Sequence, residues 1–163
     1  MKKRNVLFVM SSLRNGGAER SLVNLLQLLD YDRYNVDLLL FQNEGMFLKQ
    51  VPKAVNIISN CNKLYTLYDN NKAEALKHPY LSAVHMIGTF ISRKKTNSIA
   101  KSRQYRWEHF YKKIVPELTK EYDVAIAYMQ REQTYFLVDK VKAAKKITWG
   151  HNEYSHLGHF KEM

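Results

Sequence analysis

The sequence is short of several things, and each shortage excludes something. It holds one cysteine, Cys61, so neither a disulfide framework nor a multi-cysteine zinc site can be built, and a lone thiol fits a reducing compartment. Three prolines and six glycines, of which only Gly16 and Gly17 are adjacent, leave no low-complexity linker, and no internal repeat is present. The longest fully apolar run is roughly five residues, far too short to cross a bilayer as a helix. The apolar stretch Val6 to Met10 behind Met1-Lys2-Lys3-Arg4 is too short for a signal-peptide core. Acid is scarce: 15 Asp+Glu stand against 26 Lys+Arg, a net charge of +11. With 45% hydrophobic residues over 163 positions, the composition predicts one ordinary globular domain with a sizeable core, cytoplasmic, and no room for two large domains.

A chain this basic attracts polyanions: nucleic acid, anionic lipid or phosphorylated small molecules. The charge gathers in residues 93–113, where Arg93, Lys94, Lys95, Lys101, Arg103, Arg106, Lys112 and Lys113 meet a single acid, Glu108, among Tyr105, Trp107, Phe110 and Tyr111. On a helix, such a mixture suits an anionic membrane surface, with Lys101, Arg103, Arg106, Trp107, Lys112 and Lys113 facing the headgroups. It also suits a nucleic-acid-binding helix, and it equally describes a solvated helix whose aromatics face the core. The aromatic sheet motif and Gly-x-x-Gly loop of common RNA modules are absent, which disfavours nucleic acid.

Residues 5–10 predict a buried parallel strand. In 18–29, Leu22, Leu25, Leu26 and Leu29 recur at the spacing of one helical face. Residues 34–41 predict a second strand, completing a βαβ unit. A short helical turn is expected at 44–50, a strand at 55–58, helices at 72–78 and 80–92 separated by Pro79, a long basic helix at 98–120, a strand at 123–128, a helix at 131–142 and a strand at 146–149, with Trp149 in the core. Alternating strands and helices predict an α/β fold, a doubly wound, Rossmann-like parallel sheet with flanking helices.

In open parallel sheets, ligands collect at the carboxyl ends of the strands. Three segments should lie there: 11–20, 128–132 and 150–154. In the first, Gly16 and Gly17 immediately precede a helix, whose unpaired N–H groups and partial positive charge make a phosphate cradle; the alternative is a tight turn that needs glycine for its dihedrals. Glu19 stands in the first helical turn, where it complements the helix dipole or faces a cleft. Arg131 and Glu132 follow the fourth strand as candidate acceptor contacts or simply an exposed helix start. Neither the dinucleotide fingerprint Gly-x-Gly-x-x-Gly nor a Walker loop is present, which disfavours a nucleotide-dependent oxidoreductase. His151, His156 and His159 match no common zinc spacing, so no metal site is expected.

The strand 6–10 followed by Ser12-Leu13-Arg14-Asn15-Gly16-Gly17-Ala18-Glu19-Arg20-Ser21-Leu22 resembles the opening of family 4 glycosyltransferases of the GT-B fold. The later pair, Asp123-Val124-Ala125-Ile126-Ala127-Tyr128 and Lys146-Ile147-Thr148-Trp149-Gly150-His151-Asn152-Glu153, resembles that family's later strands and the loop after them. The two matches cover most of the chain outside 62–115. The resemblance implies the N-terminal, acceptor-side half of a two-domain enzyme that moves a sugar from a nucleotide-sugar donor to a glycan or lipid-linked acceptor with retention, in capsule, exopolysaccharide or O-antigen synthesis. It implies that Gly16 and Gly17 approach the donor diphosphate, that His151 lies near the transferred sugar as the catalytic residue with Asn152 and Glu153 beside it, and that neither an obligatory metal nor a cofactor is needed. The family's Glu-x7-Glu element is missing: no two of the nine glutamates are eight positions apart. The chain is therefore expected to be inactive alone, incomplete at its C-terminal end, peripheral on the inner face of the plasma membrane, and prone to self-associate through an exposed sheet edge. The alternative is a non-catalytic basic domain that binds nucleic acid or anionic membrane.

Overall fold

The structure is a computed structural model that describes residues 2–58, 67 and 76–150. The chain divides into two compact units: residues 1–61 with 117–151, and residues 62–116 with 152–163.

The first unit is a five-stranded sheet, all parallel, in the order β3-β2-β1-β4-β5, with β1 Arg4–Met10, β2 Tyr34–Leu40, β3 Asn56–Ile58, β4 Glu121–Ala127 and β5 Lys142–Thr148. Helix α1, Gly17–Leu28, joins β1 to β2. The fold is the expected α/β, Rossmann-like one. Five consecutive residues are buried in each central strand, Val6 to Met10 and Val36 to Leu40, as a strand covered on both faces requires. The even-numbered side chains Val6, Phe8, Met10, Val36, Leu38 and Leu40 pack with Leu22, Val23 and Leu26 of α1. Phe41, of opposite parity, meets Phe136 edge-on at 5.7 Å. Phe136 belongs to the helix Glu132–Lys140 that joins β4 to β5. The two crossovers therefore cover opposite faces, which makes the sheet doubly wound.

Strands β4 and β5 begin earlier than the residue pattern predicts, at Glu121 and Lys142, and the helix between them ends at Lys140 rather than at 142. β5 is one of the sheet's two edge strands among the described residues, largely exposed; Lys142 and Lys145 disguised its first half as helix end and loop, while the strand expected at 146–149 overlaps its second half. Lysines on an edge also oppose pairing with another chain.

In the second unit, α2 spans Pro79–Lys95 and α3 spans Ile99–Arg106; the Glu132–Lys140 helix of the first unit is α4. Pro79 occupies the first turn of α2, where its missing N–H costs nothing. Ser98 caps α3 by accepting from the Lys101 N–H at 3.1 Å. The long helix expected over 98–120 is not formed. After α3 the backbone widens into a π turn, Trp107–Tyr111, with the Lys112 N–H bonded to the Trp107 carbonyl at 2.9 Å. The residues before Pro116 then leave the helix, as the proline ring dictates. α2 and α3 approach closely through small residues: Ser102 Oγ donates to Ser92 Oγ at 2.8 Å, and a Cβ on Gly88 would press within 3.3 Å of the Phe110 ring.

Candidate functional site at the carboxyl rim of the sheet

The strand order reverses at β1. From β1 the chain crosses to β2 on one side, and from β4 it crosses to β5 on the other, so the loops after β1 and β4 diverge over opposite faces, the position at which open parallel sheets take their ligands. The register sets this rim level: Leu39, Val9, Ala127 and Thr148 lie in one row across β2, β1, β4 and β5. Two backbone bonds continue the alignment past the strands, Tyr128 N–H to Val9 O and Trp149 N–H to Ala127 O, both 2.9 Å.

The loop after β1 is held from one side by the loop after β2. Gln42 N–H donates to Ser11 O at 2.7 Å, Leu13 N–H to Glu44 O at 3.0 Å and Phe47 N–H to Leu13 O at 3.2 Å, and Arg14 pairs with Glu44. Gly45 makes this possible. Its φ is +129°, and a Cβ there would fall inside the Leu13 backbone. The residue pattern singled out neither Gly45 nor its role; a glycine just past a strand, next to an acid, was the available signal.

Gly16 is the N-cap of α1, extended at φ −154°, and no side chain caps the helix by a hydrogen bond. Any residue adopts that φ, so a turn requirement does not explain this glycine. What a side chain would meet is the Glu19 carboxylate, which folds back over Gly16. Nothing stands within 4 Å of where a Cβ on Gly17 would be, so the backbone there is open to approach. The helix start thus presents unpaired N–H groups beside an open glycine, with one carboxylate already lying over its N-cap.

The loop after β4 contributes Tyr128, which is buried and shares a 2.9 Å hydrogen bond between its hydroxyl and that of Ser21 on α1. Its ring also meets Trp149 edge-on at 4.8 Å. Trp149, expected in the core as part of a strand, is instead 41% exposed: β5 has ended at Thr148, and the indole meets the Tyr128 ring at the rim. Gln130 reaches the loop after β5, where a Cβ on Gly150 would come within 2.7 Å of its Nε2. The sequence places the segment 128–132 at this rim but does not single out Ser21, Tyr128 and Gln130 as site residues, because only the β1–β4 and β4–β5 adjacencies bring them together.

Arg131 is exposed and forms the N-cap of α4 at φ +90°, the single non-glycine residue with positive φ among those described. A strained backbone at a strand's carboxyl end is a feature that functional loops accumulate. Glu132, half-buried, opens α4. Gly16, Gly17, Glu19, Arg131 and Glu132 therefore all stand at the starts of the helices that follow β1 and β4, on the same rim. His151, Asn152 and Glu153 lie outside the described residues, as do Cys61, His156 and His159; the chain is followed onto the rim as far as Gly150.

A groove of about 620 Å³ opens at the opposite edge of the sheet, lined by Lys2, Arg4, Asn5, Asp123 and Lys142 among others. It sits at the amino ends of β1, β4 and β5, away from both diverging loops, and it mixes acids with bases. Nearby, Asp37 is buried and accepts hydrogen bonds from Tyr122 Oη at 2.7 Å, Lys120 Nζ at 2.8 Å and Asn56 Nδ2 at 3.0 Å. Burial pushes its carboxyl up, but those bonds and the Lys120 charge outweigh burial and hold it below the ordinary carboxylate range. Burial, and then the bond to Asp37, push the Tyr122 phenol well above its usual value. This cluster ties β2 to β4 and is structural.

Of the basic residues assigned to a membrane-facing helix, Lys101, Lys112 and Lys113 are exposed and Arg103 and Arg106 half-buried. Trp107 departs from that assignment. It is 1% exposed, with Tyr111 equally buried four residues on, so the π turn delivers both rings to the interior rather than to headgroups. No helix among the described residues is long and apolar enough to cross a membrane.

The fold defines an α/β protein whose parallel sheet has a topological switch point at this rim. Comparison of the chain with protein-family models, with curated proteins and with solved structures returns no match.

Proposed function

We propose that the rim is one wall of a sugar-transfer crevice, and that the chain is the acceptor-side half of a glycosyltransferase taking a nucleotide-sugar donor. The observation that carries the reading is the convergence of an uncapped helix start beside an open glycine (Gly16, Gly17) with the loops after β4 and β5 on one edge of a parallel sheet. In sugar transfer, the anomeric carbon–oxygen bond to the diphosphate breaks and negative charge grows on the leaving phosphate. Backbone N–H groups and the positive end of α1 are suited to stabilise that charge. A sugar ring would find an exposed indole, Trp149, to stack on, and the Gln130 amide to hydrogen-bond its hydroxyls. A glycan or lipid-linked acceptor would enter from the Arg131 side. One wall positions only part of the reacting assembly, so this chain is expected to bind donor fragments without turning them over.

The test uses the chain's two tryptophans. Trp149 is exposed on the rim and Trp107 is buried in the other unit, so a fluorescence change on adding uridine or guanosine diphosphate reports on the rim. Binding in the high-micromolar to millimolar range is expected, about −4 to −6 kcal/mol. Gly17→Val should abolish it without unfolding the chain, since the side chain enters open space. Absence of any response to a nucleoside diphosphate, or an unchanged affinity in Gly17→Val, would sink the reading.

A further inference from the structure

The exposed side of α2 is apolar where a solvated helix would be polar. Tyr80, Met86, Ile87 and Phe90 are all more than half exposed. At about 3.6 residues per turn they share one side of the helix, opposite the buried Leu81, Gly88 and Ser92. The last turn carries Arg93, Lys94 and Lys95. Lys94 Nζ lies over the Phe90 ring, 4.5 Å from its centre, so a cation sits directly on the apolar stripe. From 75 to 107 the sequence has seven Lys/Arg and no Asp or Glu, so no acid on α2 or α3 neutralises these cations.

We propose that this face of α2 docks the protein on an anionic bilayer, with Tyr80, Met86, Ile87 and Phe90 entering the acyl boundary and Arg93 and Lys94 meeting the lipid phosphates; Lys95 lies on the other side of the helix, its Nζ 5.8 Å from the centre of the Tyr105 ring. Long basic side chains bury their stems and keep their charge at headgroup level, which is what a lysine folded along a phenyl ring is placed to do. The charge pattern selects the occupant. A protein partner would have to bring carboxylates to one end of an apolar face, whereas an anionic leaflet offers negative charge all around it. The site is not the basic helix that the sequence suggested, because there the tryptophan faces inward. The inference does not rest on the sugar-transfer reading and stands or falls separately.

The experiment is flotation of the full 163-residue chain with vesicles of phosphatidylcholine alone and of phosphatidylcholine with about one third phosphatidylglycerol. Recovery at least ten-fold higher with the anionic vesicles is expected, falling as salt is raised. Ile87→Glu with Phe90→Glu should remove flotation while leaving the thermal midpoint unchanged, because both side chains already face solvent. Arg93→Glu with Lys94→Glu should also remove it, whereas Lys112→Glu with Lys113→Glu should keep most of it. Equal recovery with both vesicles, or flotation that survives the Ile87/Phe90 variant, overturns the proposal. So does a fall in thermal midpoint in that variant, which would mean the chain itself covers the stripe. A concentration-dependent dimer lost in the variant without any flotation would assign the face to a second copy instead.

Discussion

The hydroxyls of Ser21 and Tyr128 lie 2.9 Å apart, joining residues separated by 107 positions across the switch point of the sheet. One is on α1, the other follows β4, so this bond fixes the spacing of the crevice's two sides. Removing either hydroxyl should cost about 1 kcal/mol of stability. The Ser21→Ala, Tyr128→Phe double variant should cost no more than the larger single change, because the bond can be lost only once. Denaturant unfolding of the four proteins measures this, and fully additive costs would show that the two hydroxyls act independently.

The central strands were legible in the sequence because burial on both faces writes itself as an unbroken apolar run, as in Val6 to Met10. α1 was legible through its leucine spacing. β5 was legible only in its last residues, 146–148, because an edge strand is held by backbone bonds on one side and needs few apolar side chains: only Ala143 and Ile147 are even half-buried. The 98–120 segment misled for a related reason. Helical spacing carries through Trp107 and Tyr111, but a π turn and Pro116 end the helix, and neither alters the pattern of charges. In the candidate site, Gly16 and Gly17 stood out because a glycine pair before a helix has a local physical meaning. Ser21, Tyr128 and Gln130 have none until topology sets β1 beside β4 and β4 beside β5.

Asp37 makes the sheet sensitive to acid. Its carboxyl is held below the ordinary range in the folded protein, so the unfolded chain binds the proton more readily. The stabilisation is fully present above the ordinary carboxylate range and is lost as the pH falls from there through the lower folded value. Asp37→Ala leaves the buried Tyr122 hydroxyl without its acceptor and should cost about 2–4 kcal/mol at neutral pH. Lys120→Met, which removes a half-exposed partner, should cost under about 1 kcal/mol. Thermal melts from neutral pH to pH 3 test both, and an Asp37→Ala protein losing as much stability in acid as the parent would refute the assignment.

His85 gives the second unit a separate pH response. Its Nδ1 lies 2.8 Å from the Leu67 carbonyl and 2.9 Å from the Tyr111 hydroxyl. A carbonyl only accepts, so Nδ1 carries the proton in the neutral ring. Burial pushes the imidazole below its usual value; the Leu67 bond opposes this, and the charges of Arg106 and Arg93 reinforce it. The folded state therefore resists a second proton that the unfolded chain accepts. Stability is complete above about pH 7 and falls as the pH drops through the ordinary histidine range. His85→Gln keeps a donor for Leu67 but cannot titrate. Amide protection along α2, taken relative to the intrinsic exchange rate at each pH, should fall between about pH 7 and pH 5 in the parent and change less in the variant. Matching profiles in the two proteins would exclude His85 as the titrating group.

Glu19 sets the last expectation, because its carboxylate already occupies the place where a phosphate would meet α1. Folded over Gly16, it supplies the negative charge that an uncapped helix start favours, worth about 0.3–1 kcal/mol to the helix. The same charge repels an incoming phosphate. Glu19→Gln should thus act in opposite directions on the two properties: a small loss of stability, and a several-fold gain in nucleoside diphosphate affinity read from Trp149 fluorescence. The gain should shrink as salt screens the carboxylate in the parent. If Glu19 instead grips the ligand, for example through a sugar hydroxyl, the substitution weakens binding of the nucleotide-sugar while sparing the free diphosphate. Titrating both ligands into both proteins separates repulsion from contact, and unchanged affinity for both would remove Glu19 from the crevice altogether.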